Sequence, residues 1–226
     1  MNLQLIASYV CIILAFVPAI VFHEVAHGFM AWKLGDPTAK AMGRLSVNPL
    51  KHIDTFGTVI LPLFLMVMNL PVFGYAKPVP YNPLYFKDTR KGDFFVGIAG
   101  PLANFVMAFI GALVMNLLWP LATTFYSSDI GVYFYFVFLP EFILINLYLM
   151  FFNLIPIPPL DGSSIIALFI PERSLPKYYA IQRYALPVLL LLIIFVPYIT
   201  NVDPISAYLN FTAGNLASLM MPISIF

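Results

Sequence analysis

From Leu3 to Trp32 the chain carries one charged residue, Glu24. At about 1.5 Å per residue, a helix over this run is long enough to cross a hydrocarbon core of roughly 30 Å. No water-soluble domain has a use for such a segment, so the whole chain is read as one that folds in a bilayer. Composition agrees. Of the 226 residues 62% are hydrophobic and 9% are charged, against roughly 25% charged in a soluble domain. The net charge of +1, with no basic patch away from the membrane flanks, argues against nucleic acid as a partner.

Further apolar spans are predicted over about Phe94–Trp119 and Val132–Ile155, with shorter apolar segments at Leu186–Tyr198 and Ile205–Ile223. Residues 56–73 are apolar but broken by Pro62 and Pro71. The cationic residues decide what that stretch does. If it spans, the Lys- and Arg-rich loops on either side lie on opposite faces. If it dips in and returns, all eleven Lys and Arg residues fall on one side, and the positive-inside rule makes that side cytoplasmic. The predicted fold class is an all-α polytopic membrane protein. It has about five transmembrane helices plus a re-entrant, extended, β-containing element between the first and second secure spans. One membrane-embedded domain is expected over 1–226, with a catalytic core of about 1–170 and C-terminal helices at about 184–223. The apolar start has no cationic n-region and is read as a retained helix rather than a signal peptide. The lone cysteine, Cys11, sits in that first run and is read as a packing residue.

Near the cytoplasmic end of the first span stands His23-Glu24-Val25-Ala26-His27. Residues four apart lie about 40° apart around a helix, so both imidazoles face one way and can reach one zinc ion. Glu24 can stand beside the metal and take a proton from water. Ionisable groups are costly at membrane depth, so a cluster of three marks a functional site. A catalytic zinc needs a third protein ligand and an open position. Asp161 and His52 are the better candidates for that ligand, with Asp54, Glu141 and Asp203 behind them. Asp161 follows Pro156, Pro158 and Pro159, which break a helix while the chain is still apolar and lower the aspartate into the bundle.

Three segments, in order on three successive spans, resemble the signatures of the site-2 protease family of intramembrane zinc metalloproteases. They are His23–His27, Gly97-Ile98-Ala99-Gly100-Pro101-Leu102-Ala103-Asn104, and Asn153 through Asp161-Gly162. The runs at 43–54 and 74–80 are similar to the compact bacterial branch, which lacks PDZ or CBS domains. The resemblance covers roughly residues 15–170. It implies that His23, His27 and Asp161 bind Zn2+, that Glu24 is the general base and that Asn153 helps stabilise an oxyanion. Gly100-Pro101 and Asn104 would shape the second helix and orient polar groups. Many relatives have Asp-Gly-Gly where this chain has Asp161-Gly162-Ser163.

The expected function is hydrolysis of peptide bonds within or beside transmembrane segments of membrane proteins. The partners are a transmembrane-helix protein substrate and the lipid bilayer. The location is a bacterial cell membrane, with the active site nearer the cytoplasmic face. Extended segments near 44–48 and 75–81 are expected to hold an unwound substrate as an added strand, and His52 to lie near the entrance or in a plain loop. The rival classes are a metal transporter, which would show repeats, and a non-catalytic scaffold, which would tolerate loss of Glu24.

Overall fold

The computed structural model describes residues 3–60, 63, 64, 67, 77–182 and 184–222. Among the described residues, three helices are long and apolar enough to cross a membrane: α1 (Leu3–Lys33), α2 (Thr89–Leu118, with the apolar run continuing to Phe125) and α3 (Asp129–Asn153). Then come α4 (Ser163–Phe169), α5 (Leu175–Gln182) and α6 (Ala185–Thr200). The last two are bent by 56° at their junction and make a fourth span if the pair is one. Helical structure resumes from Pro204 to Met220.

Every regular element among the described residues is helical, as the composition predicts. The expected β-containing element is not seen among them. Residues 44–48 and 77–82 are irregular, and Thr55–Ile60 forms a wide helical turn. Most of the proposed re-entrant stretch, and Gly74–Ala76, lie outside the described residues. Helix α2 starts at Thr89, five residues before the predicted span. Asp88 caps it by accepting from the N–H groups of Arg90 and Lys91, which satisfies donors that a helix start otherwise leaves open.

The helices α1, α2 and α3 pack on one another pairwise. One half of the bundle is apolar. Met115, Tyr135, Ile143 and Leu147 are fully buried there beside Ala108, Ala112, Ala213 and Ala217. Small residues on α2 let helices approach without a solvent-driven force between them. The buried tyrosine is satisfied, its hydroxyl donating to the Met115 carbonyl at 3.0 Å. The other half is polar. The end of α1, the start of α2 and the end of α3 converge there, and the functional side chains sit among them. From helix rise, His27 and His23 lie roughly 9 and 15 Å along α1 from Lys33, a short way in from the cationic end.

Candidate metal centre

His23 and His27 face α2 from adjacent turns of α1, and both are buried. The third member arrives from the loop after α3. There Gly162 N–H donates to the Asn153 carbonyl at 2.6 Å, and Ser164 N–H to the Asp161 carbonyl at 3.0 Å. These bonds fold the proline-broken segment back on the helix end and turn the Asp161 carboxylate inward. Asp161 Oδ2 lies 3.1 Å from His23 Nε2 and 3.3 Å from His27 Nε2, and the two Nε2 atoms are 3.0 Å apart. Among the described residues, these three form the one group able to hold a metal ion.

The far side of each ring fixes its tautomer. His27 Nδ1 lies 2.7 Å from the Val96 carbonyl, which can only accept, so Nδ1 carries the proton. Asn104 fixes the other ring. Its Nδ2 donates to the Ala19 carbonyl and to Asn146 Oδ1, each at 3.0 Å, which turns Oδ1 towards His23. His23 Nδ1 therefore donates to Asn104 Oδ1 at 2.6 Å. Asn146 Nδ2 is committed to the Phe142 carbonyl at 2.8 Å, so this chain of amides has one consistent orientation. Asn104 and Asn146 are fully buried. With both protons on Nδ1, two Nε2 lone pairs and a carboxylate point at a common centre.

Three acceptors facing one another need a cation between them. Asp161 Oδ2 is buried without a hydrogen-bond donor. A tetrahedral site with metal–ligand bonds of roughly 2.0–2.1 Å has ligand–ligand edges of about 3.3–3.4 Å. The triangle here, with edges of 3.0, 3.1 and 3.3 Å, is slightly contracted from that. Two nitrogens and one oxygen suit zinc. Gly100 makes the space, since a Cβ there would lie 2.6 Å from His23 Cε1 and His27 Cε1.

The other candidate ligands are elsewhere. His52 is buried in the loop, its Nε2–H donating to the Ser46 carbonyl at 2.7 Å. Asp54 caps the turn that follows it by accepting from Gly57 N–H. Asp203 caps the helix at Pro204, and Glu141 lies in α3 well before its Asn153 end. Glu24 is held by a contact that sequence reasoning did not predict: Val79 N–H donates to its Oε2 at 2.9 Å. That donor is therefore not free to pair with a substrate strand, which corrects the expected role of residue 79. Asn153 lies at the end of α3, with its Nδ2 donating to the Leu149 carbonyl at 3.0 Å. Beside Asp161 a cavity of about 530 Å³ is lined by Tyr81, Asp93, Gly97, Ser164 and Gln182 among others.

Sequence reasoning missed Asn146, Asp36, Arg44 and the Val79 amide. The spacing of Gly97, Gly100 and Asn104, three and four residues apart on one helix face, was the available signal for the α2 contribution. Asn104→Ala should weaken metal binding by roughly 10- to 100-fold, as loss of a histidine's orienting partner does elsewhere. Competition with a zinc-selective chelator checks it.

The comparisons with known proteins give the chain's family. The model of peptidase family M50 matches residues 11–125 and 121–196, which takes in α1, α2, α3 and the Asp161 loop. The YwhC protein of Bacillus subtilis is 36% identical over 186 residues, 81% of this chain and 80% of that one. Rip2 of Mycolicibacterium smegmatis is 28% identical over 160 residues, 71% of this chain and 57% of its own length. MJ0392 of Methanocaldococcus jannaschii is 27% identical over 164 residues, 73% of this chain and 35% of its own. All three names contain the words zinc metalloprotease. No solved structure matches. A family match over residues 11–196, joined to a relative 36% identical over about four fifths of each chain, places this chain in peptidase family M50, the site-2 proteases.

Proposed function

We propose that this chain is a zinc metalloendopeptidase that hydrolyses peptide bonds within or beside transmembrane segments of membrane proteins. The observation that carries the reading is the convergence of two tautomer-fixed imidazoles and a half-buried carboxylate at 3.0–3.3 Å, one residue from a carboxylate already hydrogen-bonded and oriented. His23, His27 and Asp161 are assigned as zinc ligands. Bound there, the metal supplies a Lewis acid for the scissile carbonyl and lowers the pKa of water.

Glu24 takes the proton from the attacking water at its carboxylate and passes it to the leaving amine. Its Oε2 receives the Val79 N–H, which leaves Oε1 for this work. Asn153 is assigned to the developing oxyanion, through the amide N–H not bonded to Leu149 or by a turn of its side chain. The polar cavity beside Asp161 gives water and an unwound stretch of substrate a place next to the metal. Lys33 and the cationic loop residues gathered at this end support a cytoplasmic-facing site. The chain is read as a single domain with about five spans and a re-entrant element between α1 and α2.

The test is cleavage of a model transmembrane substrate by purified full chain in liposomes, before and after 1,10-phenanthroline, with zinc then restored. The reading expects cleavage, its loss and its return. Cleavage indifferent to the chelator contradicts it. So does zinc flux across the liposome without cleavage, which would make the chain a transporter.

A further inference from the structure

The segment 77–82 runs Lys-Pro-Val-Pro-Tyr-Asn. Its prolines lack N–H groups, so over 77–80 only Lys77 and Val79 can donate from the main chain. Lys77 N–H goes to the His52 carbonyl at 2.9 Å. Val79 N–H goes to Glu24. The carbonyls are held from the other side by Arg44, whose guanidinium donates to Lys77 O at 2.6 Å and to Pro78 O at 3.3 Å. The same guanidinium donates to the Lys51 carbonyl. At the far end Asn82 N–H donates to Asp36 Oδ2 at 2.6 Å, and Asp36 is fully buried. Val79 itself is buried against α1. A Cβ on Gly28 would come within 2.6 Å of Val79 Cγ1, so the glycine after His27 lets the segment close on the helix.

Arg44 is only 7% exposed, and among the described residues its guanidinium donates to three main-chain carbonyls. Burying a guanidinium without a carboxylate is costly, and an ordinary turn is held more cheaply by its own backbone bonds. The alternating prolines remove that option. Resting on the metalloprotease reading above, we propose that residues 77–82 are a strap that fixes the Glu24 carboxylate through the Val79 amide, and that Arg44 is the positioning residue that fixes the strap.

The test uses the full chain in liposomes and reads cleavage kinetics, zinc per chain and amide deuterium uptake of a peptide covering 77–82. Arg44→Gln should raise that uptake and lower kcat by roughly 10- to 100-fold, with KM within about twofold and zinc unchanged. Arg44→Lys, able to serve the strap carbonyls but not Lys51 as well, should recover part of both protection and kcat. Glu24→Ala should raise uptake at 77–82 with Arg44 intact, which keeps the test usable if Arg44→Gln does not fold. Lys87→Ala, at an exposed position outside the strap, should behave as wild type. Raised uptake in Arg44→Gln with unchanged kcat overturns the proposal, as does a loss carried by KM, or unchanged uptake in Glu24→Ala. Failure of the metalloprotease reading appears separately, as a Glu24→Gln protein that cleaves like wild type. The proposal then falls too, because Glu24 has no task to be positioned for.

Discussion

Glu24→Gln should keep its zinc and lose cleavage by about 10²- to 10⁴-fold, the usual worth of a general acid–base group. The substitution is nearly isosteric. Its amide oxygen can still accept the Val79 N–H that now reaches Glu24 Oε2, so the strap and the helix stay in place. What disappears is an oxygen that can take a proton from water and hand it on. The loss should fall on kcat, and no change of pH should restore it, because an amide does not titrate in this range. Zinc content by elemental analysis and turnover of a model substrate check both halves. A Glu24→Gln protein that also lost its metal would mean that Glu24 serves the metal rather than the water.

Asp161→Ala should lower zinc affinity by more than about 100-fold, beyond what an orienting partner costs. The carboxylate supplies the one negative charge in the triangle and two of its three edges. Without it two imidazole lone pairs remain, fixed in orientation by Asn104 and the Val96 carbonyl, and a two-ligand site binds weakly. Stability should follow metal. At saturating zinc each tenfold loss of affinity removes about 1.4 kcal/mol of ligand-linked stabilisation. The zinc-dependent part of Tm should therefore shrink in Asp161→Ala and persist in Glu24→Gln, and thermal scans with and without zinc read the difference.

The two histidines were legible because spacing on a helix is a local property: four residues put both rings on one face whatever surrounds them. Asp161 was among the leading candidates because prolines that end a helix inside an apolar stretch leave few places for the next charge to go. Choosing it over His52 by residues alone was not possible, since that depends on which loop turns inward. Here the Gly162–Asn153 and Ser164–Asp161 bonds turn one loop in, while His52 is spent on Ser46.

The strap was invisible for a different reason. The Val79–Glu24 bond joins positions 55 apart in the chain through a main-chain N–H, and every residue but proline has one. The extended segment expected at 44–48 rested on a short run alone. In the other segment expected to hold substrate, 75–81, Pro78 and Pro80 have no N–H, and the N–H groups of Lys77 and Val79 go to His52 and Glu24. Asn146 looked like one more polar residue in an apolar span. Only its bond with Asn104 shows that it helps to set a histidine's tautomer.

The zinc X-ray absorption spectrum of the purified wild-type chain tests the centre most directly. About one zinc per chain is expected. Its first shell should hold nitrogen and oxygen at roughly 2.0–2.1 Å, with scattering from two imidazoles and no sulfur. A third imidazole would bring in His52, the chain's one other histidine. Sulfur at roughly 2.3 Å, or no bound zinc, would contradict the assignment of His23, His27 and Asp161 as the ligands.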